Sequence, residues 1–257
     1  MKLHQLGSSD LRVSAVSFGC MSLGDDHRVN ARLLQQALDA GINLFDTADL
    51  YQKGENEVSV GKALLGRRLQ AVLATKVGNQ WRPDGSGWDW NPRRDYILQA
   101  VEASLRRLQT DYIDLYQLHG GTIDDPIDEV LEAFELLKQQ GKIRAYGISS
   151  IRPNVIREYV RRTGISSVMM QYSLLDRRPE ESSLPLLQAH GIGVLARGSY
   201  AQGLLAGKPA KPYLNYSAGE VARAAEAVQT AAQPPRPLAE TAVQFTLAQP
   251  AITSAVL

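Results

Sequence analysis

The sequence predicts an α/β fold: a closed (β/α)8 barrel preceded by an N-terminal β-hairpin. Three observations carry that reading. A helix–glycine–strand phrase recurs, as LLQQALDAG-INLFD, FELLKQQG-KIRAYGIS, YVRRTG-ISSVMMQ and LLQAHG-IGVLA. Short apolar strands alternating with helices imply parallel strands joined by helical crossovers. Eight strand-like runs fit within 257 residues, the size of such a barrel. The competing open, doubly wound sheet wants a G-x-G-x-x-G fingerprint after its first strand, and the chain carries none there.

The elements follow in order. KLHQLGSSDLRV has two short alternating runs around Gly7-Ser8-Ser9-Asp10 and reads as a hairpin outside the repeat. Strands are expected near residues 15–19, 43–46, 71–75, 113–118, 144–148, 167–171, 192–196 and 252–257. Asn91-Pro92 opens a helix with Ile97, Leu98, Val101, Leu105 and Leu108 facing inward. Asp125 is expected to cap the next helix, with Pro126 at its first position. Ile127, Val130, Leu131, Phe134 and Leu137 form its apolar stripe. Gly41, Gly141, Gly164 and Gly191 stand just past helix ends, where a left-handed residue closes the last turn. Residues 207–217 read as a loop, and residues 232–237 as a turn between two helices. No Pro/Ser-rich linker interrupts the chain, so residues 1–257 are expected to be one domain. The last helix, PLAETAVQFTLAQ, leads into ITSAVL as strand eight. With nothing after it, that strand is expected to lack its covering helix and to expose outward apolar side chains.

Hydrophobic residues make up 44% and charged residues 21%, which excludes a disordered chain. Lys and Arg total 28 against 27 Asp and Glu, so bulk charge points to neither nucleic acid nor a membrane surface. The lone Cys20 cannot form an intramolecular disulfide and fits a reducing compartment. MKLHQLGSSD lacks the apolar core of a signal peptide, and no run reaches the roughly 18 apolar residues of a membrane span. A cytoplasmic protein is expected. His4, His27, His119 and His190 are scattered, and no spacing suggests a metal site.

In such a barrel, function gathers where strands run into the loops that follow. Strand two delivers Asp46 and, five residues on, Tyr51; strand three delivers Lys76; strand four His119; strand five Ser149 and Ser150; strand six Gln171. Taken singly, each has a plainer reading. Asp46 could cap a turn, Lys76 could be solvated, Tyr51 could pack, and the serines could cap a helix.

Together they carry a resemblance. FDTADLY, then ATK, then EASLRRLQTDYIDLYQLH, then GKIRAYGISS resemble the aldo-keto reductases, in order along the chain. The resemblance implies a (β/α)8 TIM barrel whose N-terminal hairpin closes the bottom. It also implies an enzyme transferring hydride from a nicotinamide cofactor, usually NADPH, to a carbonyl. Asp46, Tyr51, Lys76 and His119 match the family's catalytic tetrad. A free tyrosine, with a pKa of about 10, is a poor acid at neutral pH. A neighbouring ammonium stabilises the tyrosinate and should lower that value. Asp46 would hold Lys76 charged, and His119 would orient the carbonyl oxygen.

The implied NADP site takes in Gly19, Cys20 and Met21 after strand one, Asp46, and Ser149 and Gln171 at the carboxamide. Ser150 stands where the family has Asn. Arg197-Gly198-Ser199-Tyr200 replaces a Tyr-containing run, and a guanidinium there can stack on the ring or pair with phosphate. Arg197, Gly198, Tyr200 and Gln202 therefore complete the expected cofactor set, and no metal is expected. Cys20 reads as a packing residue, not a nucleophile. The family's 2′-phosphate clasp follows strand eight and has no counterpart within the sequence. Trp81, Trp88 and Trp90, all in WRPDGSGWDW, either pack on themselves or wall the substrate site. The expected partner is a small-molecule carbonyl compound, with no nucleic acid or membrane, and the chain is expected to be a monomer. The rival readings are a Schiff-base lyase using Lys76 and a nicotinamide-binding protein with little turnover.

Overall fold

The computed structural model describes residues 1–257 except residues 163 and 233–235. Half of the expected turn at 232–237, and the residue before Gly164, thus lie outside the described residues. In chain order the strands are β1 (Leu3–Gln5), β2 (Arg12–Ser14), β3 (Val16–Gly19), β4 (Leu44–Asp46), β5 (Val72–Val77), β6 (Asn79–Trp81), β7 (Trp88–Trp90), β8 (Ile113–Leu118), β9 (Ile143–Ser149), β10 (Ser167–Gln171), β11 (Gly193–Arg197) and β12 (Ile252–Val256). The helices are α1 (His27–Asp39), α2 (Glu55–Ala63), α3 (Arg94–Leu108), α4 (Ile127–Gln139), α5 (Pro153–Arg162), α6 (Ser183–Ala189), α7 (Ala218–Ala231) and α8 (Leu238–Ala248). None is long and apolar enough to cross a membrane among the described residues.

The barrel closes in the order β3-β4-β5-β8-β9-β10-β11-β12, and every neighbouring pair is parallel. β1 and β2 pair antiparallel, His4 opposite Val13. Leu6, Leu11 and Val13 then pack with Leu44, Val72, Leu115, Met169, Leu195 and Val256, so the hairpin plugs the strands' N-terminal end. The plug sits tight because Gly7 has no side chain: a Cβ there would lie 2.1 Å from the Ser166 carbonyl oxygen. A larger apolar cluster fills the shell between strands and helices, with Phe45, Tyr116, Phe134 and Tyr146 among its members.

The helix stripes bury the expected faces of α3 and α4, with Leu98 and Leu131 only partly covered. Gly41, Gly141 and Gly191 adopt positive φ of 87°, 72° and 63° at their helix ends. Three expectations need correction. Asp125 does not cap α4: its carboxylate accepts the Trp90 indole N–H at 3.0 Å and the Thr122 amide at 2.7 Å, and the helix starts after Pro126 with no side-chain cap. WRPDGSGWDW is not one loop but the antiparallel hairpin β6–β7. β12 does not expose apolar side chains: α8 packs against it, and its Thr253, Ser254 and Ala255 are small and buried.

Candidate active site

Barrel geometry brings the strand ends to one face. β4 ends at Asp46, and the Thr47 amide continues the pairing to the Ala74 carbonyl at 2.9 Å. The chain then folds into a tight turn at Tyr51–Gly54, where Gln52, Lys53 and Gly54 all take positive φ (49°, 55° and 94°). Such φ values are strained for residues with a Cβ and need outside support. Gln52 and Asn56 supply it. Gln52 Nε2 donates to the Leu23 carbonyl at 2.9 Å. Asn56, fully buried, donates to the Cys20 carbonyl at 2.8 Å and to Gln52 Oε1 at 3.3 Å, and accepts from Thr47 Oγ1 at 2.6 Å. One side chain thus ties the loops after β3 and β4 to the turn that carries Tyr51.

β5 carries Lys76 into the middle of this group. Its ammonium, 1% exposed, donates to Asp46 Oδ2 at 2.6 Å and to the Thr47 carbonyl at 2.8 Å. It lies 5.2 Å from the centroid of the Tyr51 ring. Burial pulls the Lys76 pKa down, but the charges of Asp46 and Tyr51 outweigh it and hold it above the ordinary lysine value. A Schiff-base role needs a neutral amine, so this arrangement disfavours the lyase reading.

His119 follows β8, its amide bonded to the Val77 carbonyl at 2.8 Å. Its ring meets Tyr51 edge-on, with centroids 5.7 Å apart. Burial, with Lys76 and Arg197 nearby, pushes the imidazole pKa down to about 3, so it is neutral at physiological pH. Its Nδ1 is buried with no partner among the described residues. Burial raises the Tyr51 phenol above the ordinary tyrosine value, with Lys76 pulling it back only in part. Desolvation thus outweighs the neighbouring ammonium, the reverse of the lowering expected from that charge alone.

Tyr51, Lys76 and His119 line a cleft of about 690 Å³ together with Ser149, Ser150, Arg197 and Met21. Asp46 stands behind Lys76. Gly19, Cys20, Gln171, Gly198, Tyr200 and Gln202 do not line it. Cys20 is fully buried, and burial drives its thiol pKa far up, so it cannot act as a thiolate. Gln171 lines a neighbouring cleft; its Nε2 donates to Asp176 at 2.8 Å and to the Tyr213 hydroxyl at 3.0 Å, and its Oε1 accepts from Arg197 at 3.3 Å. Tyr200 and Gln202 lie in the turn after β11, where Ala201 and Gln202 take positive φ. None of the three tryptophans lines the cleft, and Trp88 is 48% exposed. Trp81 Nε1 donates to the Leu50 carbonyl at 3.3 Å, and the Trp90 ring sits where a Cβ on Gly78 would fall.

Sequence reasoning missed Asn56, Asp176, Tyr213 and Gln117, whose Nε2 approaches Asp46 Oδ1 at 3.5 Å. Gln117 had a signal: it is a polar residue inside the buried run IDLYQL, two positions before His119.

Comparison with known proteins places these features among relatives. The model of the Aldo/keto reductase family matches residues 15–257. An uncharacterized oxidoreductase, YqkF, of Bacillus subtilis is 53% identical over 265 residues, covering all of this chain and 86% of that protein. The NADH-specific methylglyoxal reductase of Escherichia coli is 35% identical, covering 83% of this chain and 72% of that protein. Among solved structures, the holo form of aldo-keto reductase AKR11C1 from Bacillus halodurans superposes with a TM-score of 0.93 at 56% identity. That match covers 99% of this chain and 85% of the other.

Proposed function

The chain belongs to the aldo/keto reductase family, and from that premise we propose that it reduces an aldehyde or ketone to an alcohol with NADPH, Tyr51 donating the proton. One observation carries the reading. Lys76, Tyr51 and His119 meet at one cleft, and Asp46 pairs with Lys76 at 2.6 Å, the ammonium lying 5.2 Å from the Tyr51 ring centroid.

The residues present fit a nicotinamide. Ser149, Ser150 and Arg197 line the cleft beside Tyr51. Gln171, both of its amide hydrogens committed to Asp176 and Tyr213, keeps acceptor capacity on Oε1. When bound, the cofactor supplies the hydride. As the carbonyl carbon receives it, negative charge grows on the oxygen. Tyr51 transfers its phenolic proton to that oxygen and becomes a tyrosinate, which solvent reprotonates. Lys76 stabilises the tyrosinate, an effect strengthened by exclusion of water. Asp46 keeps Lys76 protonated and in place. His119, neutral, can donate a ring N–H to the substrate oxygen without competing for the proton. The reading takes residues 1–257 as one domain acting as a cytoplasmic monomer.

The test is cofactor consumption with a panel of aldehydes, run with NADPH and with NADH, for the parent and Tyr51→Phe. Loss of a general acid should slow reduction about 10²–10⁴-fold while cofactor binding persists. Rates within a few-fold of the parent would remove Tyr51 from the mechanism. Preference for NADH would correct the cofactor alone.

A further inference from the structure

One wall of the cleft is built from the turn into α5 and its first residues. Ile151, Arg152, Pro153 and Asn154 line the cleft there and are exposed to it. The charges around the cleft are one-sided. Its cationic lining residues are Lys76, Arg152 and Arg197, and no Asp or Glu lines it. Lys76 is neutralised by Asp46. Arg152 and Arg197 have no carboxylate partner among the described residues. Arg152 Nη1 donates to the Gly121 carbonyl, and Arg197 Nη1 donates to Gln171 Oε1. The Arg152 bond anchors the guanidinium and leaves donors on its other nitrogens. Leu50, Ile151 and Met169 add apolar surface beside these cations.

Two guanidinium groups lining one cleft, neither in an ion pair with a carboxylate among the described residues, favour an anionic ligand. Arg197 stands at the position we assign to the cofactor. Arg152 has no such duty, and it shares the cleft with the tetrad. We propose that Arg152 recognises an anionic group, a carboxylate or a phosphate, on the carbonyl substrate. The preferred substrates are then charged aldehydes or ketones with a short apolar stem, not neutral ones. The inference rests on the reductase reading above. No new chemistry is required: hydride and proton go to the carbonyl as before, and the anion stays intact.

Matched pairs test it. kcat/KM is measured for benzaldehyde against 4-carboxybenzaldehyde, and for glyceraldehyde against glyceraldehyde 3-phosphate. The same set is run on Arg152→Ala and Arg152→Gln; the glutamine retains a donor for the Gly121 carbonyl. Charge-assisted contacts are the strong ones, so we expect the parent to prefer at least one charged member by about tenfold. That preference should fall to near one in both variants and shrink as salt is raised. Which pair shows it separates carboxylate from phosphate. A ratio near one in the parent, or one unaltered in both variants, overturns the proposal and leaves the reductase standing. If the variants instead weaken cofactor binding, and both members of each pair slow equally, Arg152 serves the cofactor and the proposal fails. Reduction of none of the four aldehydes overturns the reductase reading, and this inference with it.

Discussion

Asp46→Asn removes one charge from a pair that water barely reaches. Lys76 is 1% exposed and the Asp46 side chain 6%, with Nζ and Oδ2 2.6 Å apart. An asparagine keeps an oxygen within reach, and the Thr47 carbonyl still accepts from Nζ. What disappears is the counter-charge. Burial, already pulling the Lys76 pKa down, is then opposed only by Tyr51, and folding must desolvate an ammonium without a counter-charge or strip its proton. Breaking a buried pair from one side typically costs about 3–5 kcal/mol. For a chain of this size that lowers Tm by about 6–20 °C. Thermal melts at pH 7 read the stability effect, and cofactor consumption reads the activity. Turnover should collapse too, since a neutral Lys76 no longer stabilises the tyrosinate. Asp46→Asn combined with Lys76→Met removes the stranded charge, so the double variant should recover much of the lost Tm and none of the turnover. A single variant melting within about 2 °C of the parent would refute the reasoning. So would a double variant no more stable than the single.

Burial and the charge of Glu57 raise Asp49 from 3.8 to about 8. Between those values the folded protein holds a proton that the unfolded chain releases, so stability falls as pH rises from about 4 to about 8. Asp49→Asn should flatten that decline in melts at pH 5, 7 and 9, and parallel curves for the two proteins would exclude it. Asn56→Leu strands the Thr47 hydroxyl, leaves the Cys20 carbonyl with the Leu23 amide at 3.1 Å alone, and frees the Tyr51 turn. At about 1–3 kcal/mol for a stranded group, Tm should drop by about 2–12 °C, with turnover falling alongside; a stable, fully active variant counts against the support role.

The legibility of the chain tracked the kind of force involved. β8 and β10 could be bounded to the residue because each is a short, mainly apolar run set between the helix before it and a polar strand end, His119 after β8 and Gln171 at the end of β10. Tyr51, Lys76 and His119 were legible because barrel topology brings consecutive strand ends to one rim, and the cleft contains all three. Contacts set by packing were not legible. Asp125 looked like a helix cap, yet the indole of Trp90 takes it, a partner 35 residues away. The β6–β7 hairpin was hidden because three-residue strands around Asp84-Gly85-Ser86-Gly87 look like any polar loop. The direction of the Tyr51 shift depends on how deeply the ring is buried, which spacing does not encode.

The barrel has one seam unlike the others. β3 meets β12 through Val16 opposite Ala255 and Ser17 opposite Val256, and the Ser17 and Ser254 hydroxyls touch across it at 2.5 Å, 237 residues apart in sequence. β8 and β9, by contrast, pair Ile113 with Ile143. Closing a loop about eight times longer costs about 2 kcal/mol more in chain entropy. On the ribosome the difference becomes one of time. At about 5–20 residues per second, β3 waits about 10–50 s for its partner to be made. Through that interval the nascent chain is an open sheet with a bare edge at Val16–Gly19, and the apolar plug above it lacks Val256. An unpaired parallel edge invites strand addition from other chains. The interval of greatest exposure to such strand addition is therefore the one in which the first seven barrel strands have been made and the eighth has not.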